Sequence, residues 1–338
     1  MGKVKLAVIG LGKMGLSHLS IAGAHPSIEL VGAVDTSTMV TDFLQKFSDI
    51  PCFNDYKKML QAVTPDAVII AVPTKYHAGI IQDFLEKKIH VFAEKPFTLD
   101  VADATRLTAL AASNNLVNQV GYHNQFLGTF KKLKHLLQIG ALGKLQHFTA
   151  EAYGPVITKP QPTTWRSSAA EGGGCLYDYA SHVLDLVNNC IAPVTNVSGA
   201  ILKNIYSEKV EDAVYGLLGL SNGLTGVLSV NWSDSTYRKM STQLTIIGSN
   251  GKIICDATEL KLFLQNPIAG ESYTTGWNIV SVGELQEPVN FYLRGEEYSA
   301  QLDYFIDAVL GKVPNNINTF AAATLTDQAI SLIKNAAN

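Results

Sequence analysis

The chain has 338 residues, of which 47% are hydrophobic and 16% are charged, and its formal net charge is −3. This length exceeds the size that one hydrophobic core usually supports, so it favours two domains, and the balance of residues excludes a largely disordered chain. The small net charge predicts no nucleic-acid partner, and the apolar runs are too short to span a bilayer, which predicts no membrane partner.

Cysteine usage and the N-terminus bear on the compartment. None of the cysteines form a CxxC pair, and no cysteine–histidine cluster has the spacing of a zinc site, so we expect free thiols and no metal. The N-terminus enters a strand-like run within a few residues, which leaves no room for a signal peptide. A cytoplasmic location is therefore expected, with Cys175 as a small packing residue rather than a nucleophile.

The first 35 residues read as strand, glycine turn, helix, second strand and acid. Gly10 allows a tight turn, Gly12 lets backbone N–H groups approach a pyrophosphate, and Gly15 lets the helix pack closely on the sheet. The helix N-terminus supplies an anion site, and Asp35, 20 residues after Gly15, can accept hydrogen bonds from a ribose diol. The predicted dinucleotide-binding turn consists of Gly10, Leu11, Gly12, Lys13, Met14 and Gly15.

Asp35 also bears on which dinucleotide is bound. Its charge would repel a 2′-phosphate, and the residues that follow, from Thr36 onward, offer no arginine to neutralise one, which favours NAD over NADP. NADP stays open, because Thr36 and Ser37 hydroxyls could bond a phosphate and Lys13 could swing towards it.

The first 120 residues alternate strand-like and helix-like runs. Continuous apolar strands separated by helices predict a doubly wound parallel sheet, whose ligands bind beyond the carboxyl ends of the strands. The predicted strands are 5–9, 30–34, 67–71, 90–93 and 116–120, and the predicted helices include 55–62, 76–87 and 101–113.

Beyond residue 125 the pattern changes to successive strands, which predicts an open, mostly antiparallel sheet. We therefore expect a dinucleotide-binding domain at 1–125 and a substrate-binding and oligomerisation α+β domain at 126–338. Such a sheet often leaves one face for a partner subunit, so a homo-oligomer, dimer or tetramer, is predicted through it. The predicted strands are 144–153, 194–202, 213–220, 224–233, 242–247 and 252–255. The predicted helices are 129–139, 297–310 and 321–334. The last two of these helices are expected to cover the first domain.

Lys95 lies in the stretch Glu94-Lys95-Pro96, directly after the predicted strand 90–93. Proline restricts the residue before it to extended geometry, so the ammonium could be rigidly aimed. A lysine at a strand's carboxyl end is either a solvated loop cation or a site residue, and the pattern alone leaves both open.

Asp178 and His182 follow a run of three glycines, on a segment with helix periodicity over 176–187. As residues i and i+4 they share one helix face. A carboxylate beside an imidazole favours its protonated form and orients the ring, as a proton-transfer pair requires. An ordinary surface pair has the same spacing, and Asp185 is a nearby competitor for His182.

Several motifs occur together in the order of a known family. The chain resembles, nearly end to end, the glucose–fructose oxidoreductase, inositol dehydrogenase and MocA-like (Gfo/Idh/MocA) family of nicotinamide-dependent sugar and cyclitol oxidoreductases. One departure is Ala180, where the family often has glycine, which would slightly crowd the backbone. The resemblance is carried by residues 7–15, 71–77, 94–96, 120–124 and 172–182, and further by 210–212, 223–232 and 298–312.

The resemblance implies roles for three residues. Lys95 would hold the nicotinamide and a substrate hydroxyl and stabilise developing alkoxide charge. His182 would be the base, since the ordinary histidine pKa of about 6.5 lies near working pH, and Asp178 would orient the substrate and tune His182.

Other candidates depend more on position. Trp165 could stack on a sugar and Arg166 could bind an anion, or the two could be a loop anchor and a surface arginine. His77 faces the cofactor in the family-like loop or caps the next helix. Further expected cofactor contacts are Pro73, Thr74, Glu94 and Asn124, and further expected substrate contacts are Tyr122, His123, Tyr153 and Tyr237.

These features predict an NAD-dependent dehydrogenase or reductase acting on a hydroxyl or ketone of a sugar, nucleotide-sugar or cyclitol. Two alternatives stay open: an NAD-dependent glycosidase that oxidises its substrate transiently, and a non-catalytic dinucleotide-sensing protein. Lys95, Asp178 and His182 argue against the sensor, because a sensor needs no base.

Overall fold

The computed structural model describes residues 2–160 and 164–337. The chain divides into two compact units. The first unit consists of Met1–His123 and Pro288–Thr324, and the second consists of Asn124–Glu287 and Leu325–Asn338. Each unit contains one sheet with helices packed on it.

The first unit contains a six-stranded parallel sheet in the order β3-β2-β1-β4-β5-β6. The chain extends the sheet from β1 towards β3, then returns to the other side of β1, which places a topological switch point between β1 and β4. The strands are β1 (Val4–Ile9), β2 (Ile28–Val34), β3 (Cys52–Phe53), β4 (Ala67–Ile70), β5 (His90–Ala93) and β6 (Asn118–Val120).

Five helices connect these strands, and two of them begin at aspartate caps. The Asp55 carboxylate accepts from two backbone N–H groups of α3, and the Asp100 carboxylate accepts from the Ala102 N–H of α5. The helices are α1 (Lys13–Ala24), α2 (Thr38–Phe47), α3 (Tyr56–Ala62), α4 (His77–Glu86) and α5 (Val101–Ser113).

A helix from a later segment of the chain completes the core of the first unit. The helices α6 (Gly128–Gln138), α7 (Ser181–Cys190) and α8 (Val282–Leu285) belong to the second unit, and the next helix, α9 (Glu296–Val309), returns to the first. Its Leu302, Phe305 and Ile306 are fully buried in one cluster with Leu6 and Phe92 of the sheet. The sheet face that carries α1 therefore depends on residues far away in sequence.

The second unit contains an eight-stranded sheet in the order β14-β13-β12-β11-β7-β10-β9-β8. All pairs are antiparallel except β7 with β10. The final helix, α10 (Phe320–Ala336), has residues in both units. The strands are β7 (Leu145–Tyr153), β8 (Val194–Lys203), β9 (Ala213–Leu220), β10 (Thr225–Asn231), β11 (Ser241–Gly248), β12 (Gly251–Asp256), β13 (Glu259–Leu264) and β14 (Gly276–Ser281).

Alternation along these strands separates a buried face from an open face. On β9, Leu218 and Leu220 are buried under the helices, whereas Leu217 is 56% exposed. The outward side chains include Ile201, Leu217, Trp277 and Ile279, which are all exposed. Among the described residues, no helix is both long and apolar enough to cross a membrane.

The predicted fold class is confirmed: a parallel doubly wound sheet precedes a mostly antiparallel one. The pattern missed β3 because two residues are too few for a period, and it missed α2, β13 and β14. The expectation of a regular helix from residue 176 was wrong, since Leu176–Ala180 forms a π-helical turn that leads into α7. A π turn adds one residue to a helical turn, and the spacing of the apolar residues does not reveal that insertion.

Candidate functional site

The glycine turn after β1 has the geometry that its sequence predicts. Gly10 has a φ of +90°, which favours glycine. A Cβ on Gly15 would lie 1.7 Å from the Gly10 carbonyl oxygen, so the helix can approach the turn only without a side chain there. A Cβ on Gly12 would meet nothing within 4 Å, so the space in front of α1 is open.

This open space fits the phosphates of a dinucleotide. Gly12 is the N-cap of α1 and has no side chain to satisfy the helix's first N–H groups, and the first turn contains no acidic residue. Lys13 and Met14 begin the helix, where its partial positive charge is greatest. The residues present therefore suit an anionic group at this point.

Asp35 lies at the end of β2 and is held by two backbone groups. Its Oδ2 accepts from the Leu11 N–H at 2.6 Å, and its Oδ1 accepts from the Ser37 N–H at 2.8 Å. Thr36, between them, is exposed. The carboxylate thus fixes the glycine turn, a contact that the spacing did not indicate, and its role at a ribose stays a prediction.

His77 fixes the loop that follows β4. Its ring is fully buried, with Nδ1 3.1 Å from the Phe97 carbonyl oxygen and Nε2 3.0 Å from the Val72 carbonyl oxygen. Burial lowers the pKa of His77, partly opposed by these carbonyl contacts. His77 therefore braces the loop containing Pro73 and Thr74, and its ring faces the protein backbone.

Glu94 and Lys95 follow β5 at the same carboxyl edge of the sheet, and the Lys95–Pro96 peptide bond is cis. Glu94 is buried, and its Oε1 lies 2.6 Å from Nε2 of His18 on α1. Its Oε2 accepts from the Lys95 backbone N–H at 3.2 Å. His18 carries no signal in the sequence, because one histidine within a helix has no distinctive spacing.

Tyr122 and His123 follow β6. Tyr122 is buried in the core of the first unit, where its side chain serves packing. The His123 ring stacks on Tyr298, with ring centroids 4.4 Å apart. Burial lowers the pKa of His123 to about 4, so this imidazole is neutral at physiological pH. Asn124 begins the second unit; its buried amide nitrogen has no hydrogen-bond partner among the described residues, and its contact with the cofactor stays a prediction.

In the second unit, Asp178 pairs with Arg166. The arginine Nε donates to Asp178 Oδ2 at 3.2 Å, and the guanidinium lies over the Trp165 ring, 4.5 Å from its centroid. Asp178 is buried, whereas Trp165 and the Arg166 side chain are about 40% exposed. The structure thus brings together three residues that the sequence presented as two separate motifs.

The π turn and α7 carry Asp178 and His182, and both side chains are buried. Glu211 fixes the start of the π turn: its Oε1 accepts from the Leu176 N–H at 2.8 Å. A Cβ on Gly174, whose φ is +104°, would lie 2.3 Å from the same oxygen. The glycine before the turn therefore makes room for a carboxylate. Glu211 positions the turn, a role that its place in the sequence does not indicate.

Asp185 engages Gln125 through both of its oxygens, at 2.9 Å each. Burial raises the pKa of Asp185 to about 8, although the Gln125 hydrogen bond opposes the shift.

Burial also raises the pKa of the Cys175 thiol well above its ordinary value, and the Glu211 charge adds to the shift. A buried neutral thiol suits packing.

Tyr153 and Tyr237 form a stacked pair in the second unit. Their rings stack with centroids 5.7 Å apart, and the Tyr153 hydroxyl lies 2.6 Å from Ser229 Oγ. Tyr153 belongs to the outward positions of β7, on the face opposite the one that α7 covers. Strand alternation therefore places Tyr153 on the open face of the second sheet, and the expectation that the two tyrosines contact a substrate stays a prediction.

No group of three or more histidine, cysteine, aspartate or glutamate side chains within residues 2–160 and 164–337 could hold a metal ion. All four cysteines carry free thiols.

Two family models match the chain, one in each part of the fold. Residues 4–122 match the model described as an oxidoreductase family with an NAD-binding Rossmann fold, and residues 130–254 match the GFO/IDH/MocA C-terminal domain. The chain belongs to the Gfo/Idh/MocA family. It is accordingly an NAD-binding oxidoreductase with the two-domain fold of that family.

Curated members of the family resemble this chain at low identity. The rhizopine catabolism protein MocA of Rhizobium meliloti is 25% identical over 340 residues, covering 98% of this chain and 96% of that protein. The myo-inositol 2-dehydrogenase of Thermotoga maritima is 23% identical over 262 residues, 75% of each chain. A solved levoglucosan dehydrogenase in complex with NADH is 19% identical, has a TM-score of 0.87 and shares the fold over 99% of this chain and 97% of its own.

Proposed function

We propose that this protein is an NAD-dependent dehydrogenase or reductase acting on a hydroxyl or ketone of a sugar, nucleotide-sugar or cyclitol. Relatives named for myo-inositol and scyllo-inositol oxidation and structural neighbours named for levoglucosan support this substrate class. The first unit would bind the cofactor, and the second unit would supply most substrate contacts.

The observation that carries the proposal is the buried placement of Asp178 and His182 on the π turn and α7, together with Lys95 in its family motif. NAD, when bound, supplies a hydride acceptor. His182 takes the hydroxyl proton, Lys95 stabilises the developing alkoxide, and Asp178, held by Arg166, orients the substrate. A non-catalytic sensor would need none of these groups.

The cofactor is proposed to be NAD rather than NADP. Asp35 places a carboxylate at the end of β2, and Thr36 and Ser37 beside it bring no positive charge. A 2′-phosphate would meet this carboxylate and gain no ion pair in return.

A substrate screen tests the proposal directly. The protein is incubated with sugars, nucleotide-sugars and inositols and either NAD or NADP, and the absorbance of the reduced cofactor is followed. We expect turnover with at least one polyol and NAD. A separate incubation with aryl glycosides and no added NAD detects a glycosidase, whose activity would replace the dehydrogenase assignment; inactivity in both screens would contradict catalysis.

We further propose a homo-oligomer formed through the open face of the second sheet, in the cytoplasm. Exposed apolar side chains on that face, Leu217 on β9 and Trp277 and Ile279 on β14, support the interface, because contact with a partner subunit would remove their apolar surface from water. Light scattering measures the molar mass of the native protein and of its Leu217→Asp variant in solution. The native protein should have a mass above that of the monomer, and the variant should have a lower mass than the native protein.

A further inference from the structure

One side of α2 carries a continuous row of exposed apolar side chains. Met39, Phe43 and Phe47 follow one another at intervals of four residues, and they are 79%, 66% and 67% exposed. The Phe43 and Phe47 rings lie with their centroids 4.7 Å apart, and Met39 precedes Phe43 by one helical turn on the same face. These three side chains form one contiguous surface, which we call the α2 stripe.

The α2 stripe is not needed to hold the helix on the first unit. Val40 and Leu44, on the adjoining side of α2, pack against the core cluster of the first sheet, and Thr41 is buried. Large apolar side chains bury about 150–250 Å² each when fully covered, so at its exposure the stripe presents about 400 Å². A patch of this size matches the largest one on an ordinary monomer, and such patches are often functional.

Two opposite charges border the α2 stripe on the side away from the core. Asp42 and Lys46 are both exposed and occupy the same flank, because they lie four residues apart. The Lys46 ammonium lies 5.6 Å from the centroid of the Phe47 ring, so the charge directly adjoins the apolar surface.

This arrangement is complementary to itself. When two copies of a helix pair antiparallel about a two-fold axis, the same flank of both helices meets. Each Asp42 would then face the partner's Lys46, while the apolar stripes cover one another. An unrelated partner would have no reason to match both features.

We propose that α2 is an interface between two copies of this chain, in which the α2 stripes pack antiparallel about a two-fold axis with Asp42 facing the partner's Lys46. The inference does not rest on the proposed activity or on the contact proposed for the second sheet. The stripes would bury about 800 Å² in total, below the roughly 1,200 Å² of a stable interface, so the contact is weak and reversible by itself. Together with a two-fold contact through the second sheet, it would build assemblies larger than a dimer.

Sedimentation equilibrium of the full chain over a wide concentration range measures the Kd of this contact. Phe43→Ser removes an exposed ring from each side of the interface and leaves the core intact, so the Kd should rise about 100-fold. Tyr292→Ser removes a similarly exposed ring elsewhere on the first unit, and this matched control should keep the native Kd. Leu217→Asp, on the second sheet, should retain a monomer–dimer equilibrium through α2.

Charge reversals distinguish pairing of α2 with itself from binding to another partner. Asp42→Lys places two lysines opposite each other at both ends of the contact, so the Kd should rise about tenfold, and Lys46→Asp should act similarly. Reversing both charges in one chain restores opposite charges across the axis. This double variant should return to within about threefold of the native Kd.

Three results would overturn the inference. The first is a strictly monomeric Leu217→Asp variant at the highest concentration reached, and the second is an equal effect of Phe43→Ser and Tyr292→Ser. The third is a double reversal that associates no better than the single ones, which would assign the α2 stripe to a different partner or to none. The substrate proposal fails separately, by absence of turnover in the screen.

Discussion

Asp35 combines two tasks in one side chain, and its variants can separate them. The carboxylate fixes the glycine turn through the Leu11 N–H at 2.6 Å and carries the charge proposed to exclude a 2′-phosphate. An asparagine keeps an oxygen for the Leu11 N–H but loses the charge. An alanine loses both, so it should disturb the turn for any dinucleotide.

For Asp35→Asn we expect the preference for NAD over NADP to narrow by about 1–3 kcal/mol, the scale of a charge-assisted hydrogen bond. Asp35→Ala should narrow it similarly and also weaken binding of both cofactors. Titration of each variant with both dinucleotides measures this. Asp42→Asn, an exposed change on α2, is the control; tighter NADP binding by the native protein would contradict the assignment.

The catalytic assignment predicts large losses of turnover. Lys95→Ala and His182→Ala should each lower kcat about 10²–10⁴-fold, the usual effect of removing a positioned acid–base group. The double variant should lose much less than the product of both, because groups serving one proton transfer act as a unit. His182→Ala should bind NAD normally, and near-native turnover in that variant would remove His182 as the base.

Arg166 should affect turnover by positioning the Asp178 carboxylate. Arg166→Ala removes the Arg166–Asp178 ion pair, so kcat should fall about tenfold while NAD affinity stays unchanged. Arg166→Lys should not rescue it, because lysine has neither the Nε donor nor the planar group that stacks on Trp165. Steady-state kinetics with the identified substrate decide this, and full activity in Arg166→Lys would show that charge alone suffices.

At the scale of single elements, the buried Asp185 carboxyl on α7 makes the free energy of unfolding depend on pH. The folded state raises the pKa of Asp185 to about 8 from an ordinary value near 4. Between these values the unfolded chain releases a proton that the folded chain keeps, so the free energy of unfolding falls as the pH rises.

Asp185→Asn removes this titration, and the Gln125 amide can turn to keep a hydrogen bond. Chemical unfolding at pH 5 and pH 8 should show a smaller fall in stability for the variant, by at least about 1 kcal/mol. An exposed carboxylate, as in Glu86→Gln, should show no such difference. An equal fall in the variant and the native protein would mean that Asp185 is ionised when folded.

The elements show what the sequence could and could not predict. The glycine turn follows from its motif, and most strands of both sheets follow from local apolar periods, although β3, β13 and β14 were missed. Residues 101–113 were predicted with the bounds of α5. The Arg166–Asp178 and Gln125–Asp185 pairs join residues on different elements. The spacing of residues within one element does not predict such pairs. The face on which Tyr153 lies could not be predicted, because a strand residue's face depends on which side of the sheet the helices cover.

At the scale of the molecule, the first unit needs residues from two separate segments of the chain. Leu302, Phe305 and Ile306 of α9 fill the cluster that covers one face of the first sheet. A fragment ending at residue 127 keeps the glycine turn and Asp35 but leaves that face uncovered.

We expect the fragment 1–127 to aggregate. Residues 1–123 joined through a Gly/Ser linker to 288–324 should instead be soluble and bind NAD, because this design restores α9. Size-exclusion chromatography and cofactor titration compare the two. A soluble, monomeric 1–127 fragment would show that α9 contributes little to the first unit.

The late position of α9 has a consequence for biosynthesis. A ribosome completes the first sheet and then makes all of Asn124–Glu287 before α9 emerges. At about 5–20 residues per second, the delay is on the order of ten seconds or more, during which the apolar face beside Phe92 lacks its cover. Nascent chains should therefore engage chaperones that bind apolar surfaces until translation is nearly finished, and slowing translation should prolong that dependence.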